Sequence, residues 1–216
     1  PRLIAPCRSA SADIVAKIVV PKGASAGFPT GRLMPSPYAA RPATVCPMTR
    51  ASMTDGPSTG VAVQDSYPPD VAVCYGCGRL NDDGLHIRTY WDGTEGTATF
   101  QPKPFHTAIT GVVYGGLLAS LIDCHAVGTA AAARYAADGR EVGSEPVLRY
   151  VTGLLQVSFK APTPMGGPLT LRAWPVEVGE RKVVVDAEVI ADGQVTVTGH
   201  VIAVRLRHDS TGSVAP

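Results

Sequence analysis

No phosphate-binding P-loop, no dinucleotide glycine fingerprint and no Gly-x-Ser-x-Gly elbow occurs in this 216-residue chain. The usual sequence routes to nucleotide chemistry and to serine hydrolysis are therefore missing. Charge of one sign is missing too. The 19 basic and 18 acidic residues leave a net charge of +1, so no nucleic-acid partner is expected. Cysteine is sparse, with five residues at 7, 46, 74, 77 and 124. An odd, scattered set in a chain this long does not make a disulfide scaffold, and a reduced, cytoplasmic setting is expected. The one long apolar stretch, 111–133, carries Asp123 and His125 in its middle and is rich in Ala and Gly. It reads as a buried helix, with no membrane partner.

What is present is unevenly spread. Residues 1–70 hold 11 of the 19 prolines and show no sustained apolar period. Such a segment buries too little surface to offset its chain entropy. Residues 14–20 are its only candidate element. Residues 1–52 carry seven basic residues (Arg2, Arg8, Lys17, Lys22, Arg32, Arg41, Arg50) and one acid, Asp13. That leaves 12 basic against 17 acidic residues in the remainder, a net of −5. A basic, Ala- and Ser-rich, acid-poor leader matches an organellar transit peptide. The alternative, which we favour, is a protein start at Met48 or Met53 with the rest read in frame from upstream. The expected domains are a disordered or non-native leader at 1–70, one folded domain at 71–208 and a flexible tail at 209–216.

From Val71 the pattern changes. Residues 85–91 and 94–101 alternate around Asp92-Gly93, a hairpin signal. A helix is predicted over 115–137, stopped by Asp138-Gly139 and apolar nearly all round. Strand patterns follow at 147–160, 169–177, 181–190 and 195–206, with turns at Pro162 and Pro164, Gly179 and Asp192-Gly193. The order β-β-α-β-β-β-β predicts an α+β domain, a curved antiparallel sheet wrapped around one central helix.

The helix start, Val113-Tyr-Gly-Gly-Leu-Leu-Ala-Ser-Leu-Ile-Asp123, carries chemistry. A helix N-terminus presents unpaired N–H groups, and glycine lets a ligand oxygen come close to them. A carboxylate on an apolar helix is costly to bury and needs a reason. Each feature has a plainer reading alone: tight packing for Gly115-Gly116, a satisfied buried polar group for Asp123. Together they suggest carbonyl polarisation by one and action on water by the other. His125 lies ~200° around the helix from Asp123, so the two do not form a dyad in one chain. Cys124 reads as packing. Cys74-x-x-Cys77 has no second cysteine pair and only His86 nearby, so a tight glycine-rich loop is expected, with no metal and no cofactor.

Four pieces give a resemblance: Cys74-Tyr-Gly-Cys-Gly-Arg-Leu-Asn-Asp-Asp-Gly-Leu85, Gly115-Gly116 with Asp123, Gln156-Val-Ser-Phe-Lys-Ala-Pro-Thr-Pro-Met-Gly166, and the closing strands. From about 74 to 206 the chain resembles the hotdog-fold acyl-CoA thioesterases, in particular the group named for phenylacetate degradation. The resemblance implies that Gly115 donates its N–H to the thioester oxygen. Asp123 would be general base or nucleophile, assisted by the hydroxyl of Thr152. Tyr114 and Gly116 would flank the substrate. The family usually has His where this chain has Tyr114. Where some members carry an amide, this chain has Ala108, which leaves His106 as the substitute for holding water.

Eight residues along a helix separate Gly115 from Asp123 by ~12 Å. A reacting carbonyl must lie ~3 Å from both its donor and its nucleophile. The two groups must then come from different chains, and a homodimer or dimer of dimers is expected. Coenzyme A phosphates would meet Lys160, Arg181 and Lys182, if these are more than solvated strand-end charge. The rival readings are a hotdog hydratase/dehydratase and a non-catalytic acyl-CoA binding module.

Overall fold

A computed structural model describes residues 60–206. The expectations for 1–59 and 207–216, including residues 14–20 and the tail, lie outside the described residues. The strands are β1 (Tyr90–Trp91), β2 (Gly96–Phe100), β3 (Thr107–Ile109), β4 (Val112–Val113), β5 (Tyr150–Phe159), β6 (Leu169–Val178), β7 (Lys182–Ala191) and β8 (Gln194–Arg205); the helix is α1 (Gly115–Ala137). Six strands form one antiparallel sheet in the order β1-β2-β6-β7-β8-β5. α1 lies across it, against β5 to β8 and β2. This is the predicted α+β architecture.

The central strands follow from alternation. Val183, Val185, Ala187 and Val189 of β7 are buried, and their registered partners Ala203, Val201, Gly199 and Val197 on β8 face the same side. Asp186 and Glu188 fall on the other face, as a period of two requires. Asp192 and Gly193 join β7 to β8 with both φ positive, 49° and 76°. That is the two-residue turn whose twist matches antiparallel strands. Leu118, Leu121, Ile122, Ala126 and Ala130 of α1 fill the space above the sheet. Each buried leucine or isoleucine contributes about 1.5–3 kcal/mol. The helix ends at Asp138, which pairs with Arg134 one turn back, and at Gly139, whose φ of 64° breaks the right-handed path. It is long and apolar enough to cross a bilayer, but two-thirds of its most apolar window is buried in the domain.

Two boundaries differ from expectation. Residues 85–89 are not in the sheet. Their backbone bonds instead to upstream loops: Leu85 N–H to Tyr75 O, Ile87 N–H to Gly76 O, and Val63 N–H to Thr89 O. The last contact brings in a segment assigned by composition to the leader. A short 3-10 turn, Val63–Ser66, lies against α1, with Val63 and Gln64 buried. The folded domain therefore begins before residue 70. The hairpin β3–β4 was not predicted; its strands of three and two residues are too short to show a period.

Candidate active site

Asp123 lies in the third turn of α1, half-buried, with its side chain toward β5. There the Thr152 hydroxyl donates to its Oδ1. Burial raises the carboxyl above its ordinary value; the Thr152 hydrogen bond draws it back, and Cys74 pushes it up. Asp123 and Thr152 share a cavity of about 360 Å³ whose other walls include Tyr67, Val71, Leu148 and Tyr150. A carboxylate there has a largely apolar surround and one hydroxyl partner, the setting of a base whose proton affinity is tuned upward.

Gly115 opens α1, eight residues before Asp123. Its N–H has no helical carbonyl behind it to bond. It lines a second cavity of about 430 Å³ with Ile109, Phe159, Lys160 and Pro162. No residue lines both cavities. Strand β5 runs between them, with Thr152 at the first and Phe159 at the second. β5 is a sheet edge, and Val151, Leu154, Leu155 and Phe159 are exposed on it.

The other site expectations divide. Tyr114 precedes α1 in extended conformation and is 57% exposed. Its ring lies over Gly116, 2.4 Å from where a Cβ there would be, so a side chain at 116 would displace the ring. His106 lines neither cavity. Its Nδ1 accepts from Lys103 N–H, its ring stacks on Phe100, and its carbonyl accepts from Tyr114 N–H. It thus anchors the residue before the helix through its backbone. Arg181 and Lys182 lie at the β6–β7 turn, away from Lys160, and Lys182 pairs with Glu177 at 3.4 Å.

His125 is fully buried on the opposite side of α1. Gln64 Nε2 donates to Thr89 Oγ1 (3.0 Å), Thr89 Oγ1 contacts His125 Nδ1 (3.0 Å), and His125 Nε2 contacts Gly96 O (3.1 Å). The proton belongs on Nε2, because a carbonyl only accepts. Burial depresses this imidazole to about 4. Both nitrogens are occupied, so His125 and Asp123 do not serve one site as a hydratase would require.

Two groupings escaped the sequence. Arg149 and Asp70 form an ion pair at 2.7 Å on the wall of the Asp123 cavity. Asp70 fell in the apparent leader, and no periodicity links it to Arg149. Cys124 meets Cys74 at 3.8 Å between sulfurs, and Cys77 joins them. Hydrogen bonds from Cys124 and then Cys77 hold Cys74 well below the usual thiol range, while Cys124 is pushed up.

A long helix laid across a wrapped antiparallel sheet is the hotdog architecture. The thioesterase superfamily model matches residues 110–198. A thioesterase superfamily protein from Shewanella loihica is 44% identical, over 59% of this chain and 100% of its own, with a TM-score of 0.47. A thioesterase from Haemophilus influenzae is 15% identical over 61% of this chain and 85% of its own, at a TM-score of 0.50. The PaaI protein of the phenylacetic acid degradation operon of E. coli is 18% identical over 57% and 81%, at 0.47. No curated protein matches. The 44% identity along the whole Shewanella protein shows that this chain belongs to the thioesterase superfamily.

Proposed function

We propose that the protein hydrolyses acyl-CoA thioesters at two sites shared between paired copies of the chain. The observation that carries this reading is the separation of Asp123 from Gly115 into two cavities joined by an exposed edge strand. Antiparallel pairing of two β5 edges about a two-fold axis near Leu155 and Gln156 sets Thr152 of one copy opposite Phe159 of the other. Thr152 holds Asp123, and Phe159 packs beside Gly115. Each site then takes its carboxylate from one copy and its N–H from the other. The same pairing brings Lys160 of one copy to the sheet end that carries Arg181 and Lys182 of the other, where phosphates of coenzyme A would be held.

The thioester carbonyl oxygen accepts the Gly115 N–H, which with the helix dipole stabilises the developing oxyanion. In the general-base form, Asp123 takes a proton from water as its oxygen bonds to the carbonyl carbon. The C–S bond breaks, and the proton passes to the departing thiolate. As nucleophile, Asp123 would form an anhydride that water then opens. Thr152 orients the carboxylate in either case. The acyl group lies in the apolar Asp123 cavity. Within the superfamily we place the chain with the phenylacetate-degradation group, on the spacing of Gly115-Gly116 and Asp123, and in the cytoplasm.

The test is release of free thiol from a panel of short-chain, long-chain and aromatic acyl-CoAs. Turnover of at least one class that disappears in Asp123→Ala supports the proposal. Binding of acyl-CoA without turnover across the panel would leave a binding module in its place.

A further inference from the structure

The sequence offered two cysteines on a tight loop and no further ligand; the fold supplies the third. Cys124 comes from the helix, 50 residues away, and the sulfurs of Cys74, Cys77 and Cys124 all lie within 4.8 Å of one another. Sulfurs bound to one zinc at ~2.3 Å lie ~3.8 Å apart, and the Cys74–Cys124 separation is 3.8 Å. The loop is shaped to hold this arrangement. Gly78 N–H closes the turn on Cys74 O at 2.8 Å. A Cβ on residue 76 would fall 2.2 Å from the Cys124 sulfur, and one on residue 78 would fall 2.4 Å from Cys74 N. Both glycines are therefore required for the three thiols to converge.

We propose that Cys74, Cys77 and Cys124 form a binding site for a thiophilic dication of the zinc class. Three thiolates suit a soft or borderline cation over calcium or magnesium. Three protein ligands leave a fourth position for water or a small donor, and all three cysteines line the Asp123 cavity. The cation ties the loop carrying Cys74 and Cys77 to α1 and so fixes one wall of that cavity.

The test uses the full chain, purified under reduction and given one equivalent of zinc. Wild type should retain close to one zinc per chain against a competing chromogenic chelator. The double variant Cys7→Ser/Cys46→Ser should retain it equally, while Cys77→Ser and Cys124→Ser should each lose it. Zinc-edge X-ray absorption on wild type needs no variant to fold and should show three sulfur neighbours at ~2.3 Å. Backbone amides of residues 72–85 should exchange faster once zinc is stripped. Failure of the reduced wild type to hold zinc, a shell of only nitrogen and oxygen, or loss of zinc on changing Cys7 and Cys46 would each overturn the proposal. So would a native Cys74–Cys124 disulfide whose reduction yields no zinc binding.

Discussion

Asp123 and His125 stand two residues apart on one helix, and the protein treats them in opposite ways. His125 is fully enclosed, with a partner at each nitrogen, and is held neutral. Asp123 is half-buried, has one hydroxyl partner and faces a cavity. A polar group with every bond satisfied inside the core holds structure together; one left with free acceptor capacity at a cavity wall is placed for chemistry. The contrast predicts separable effects on activity and stability.

The largest effect belongs to Asp123. Asp123→Ala should lower turnover by ~100-fold or more with an unchanged melting temperature. Near-wild-type turnover would erase the distinction. His125→Ala should do the reverse. It strands Thr89 and Gly96 O in the core and opens a cavity, at a cost of about 2–4 kcal/mol, while the folded fraction keeps its turnover per site. Chemical denaturation read beside thiol-release kinetics separates the two.

Acid provides a second measure. The folded His125 titrates near 4 against an unfolded value of 6.5. Between those values the unfolded chain binds more protons, so stability falls as pH drops from about 6.5 to about 4. The loss from this residue is about 3 kcal/mol. A denaturation series over that range that stays as flat in wild type as in His125→Gln would contradict the neutral assignment. Asp123 has the opposite sign in function. Its carboxyl is raised, so the acid limb of the pH–rate profile should lie above the ordinary aspartate value. Thr152→Ala removes the bond that lowers it and should move that limb further up, with a fall in turnover on the order of tenfold.

The smallest effects concern the N-terminal side. A chain starting at Met53 should match the full chain in melting temperature and activity. A chain starting at Val71 should be less stable, since it removes Gln64 from the bonds to Thr89 that support His125. Equal melting temperatures for the two would show that Gln64 adds nothing to that network.

Which of these features the sequence displayed follows from the range of the contacts involved. The helix, its stop at Asp138-Gly139 and the turn at Asp192-Gly193 are local signals, and each appears where expected. The four long strands showed their period; β6 starts at Leu169 as expected, and the other ends moved by one to three residues. Asp123 and Thr152 were paired only through a family resemblance, since 29 residues separate them. Arg149 with Asp70, Gln64 with Thr89, and Cys124 with Cys74 are contacts across the fold between segments that carry no shared pattern. The segment at 62–70 was hidden for another reason. Its prolines resemble those of the leader, and its buried residues are only three in a row, Ala62, Val63 and Gln64.

The central claim is that each site borrows Gly115 from one copy and Asp123 from another, and mixed pairs test it most directly. Gly115→Pro removes the donor N–H. Proline suits the first position of a helix, and Tyr114 already has the extended ψ of 127° that a following proline prefers. The added ring needs the Phe159 side chain to give by a few tenths of an ångström. Circular dichroism should confirm that Gly115→Pro and Asp123→Ala each fold, and each alone should be inactive. When equal amounts are co-refolded, about half the two-fold pairs are mixed, and each mixed pair has one intact site. Activity should return to about a quarter of wild type. If folded, verified mixed pairs recover none, the two groups do not meet across an interface, and the shared-site account is wrong.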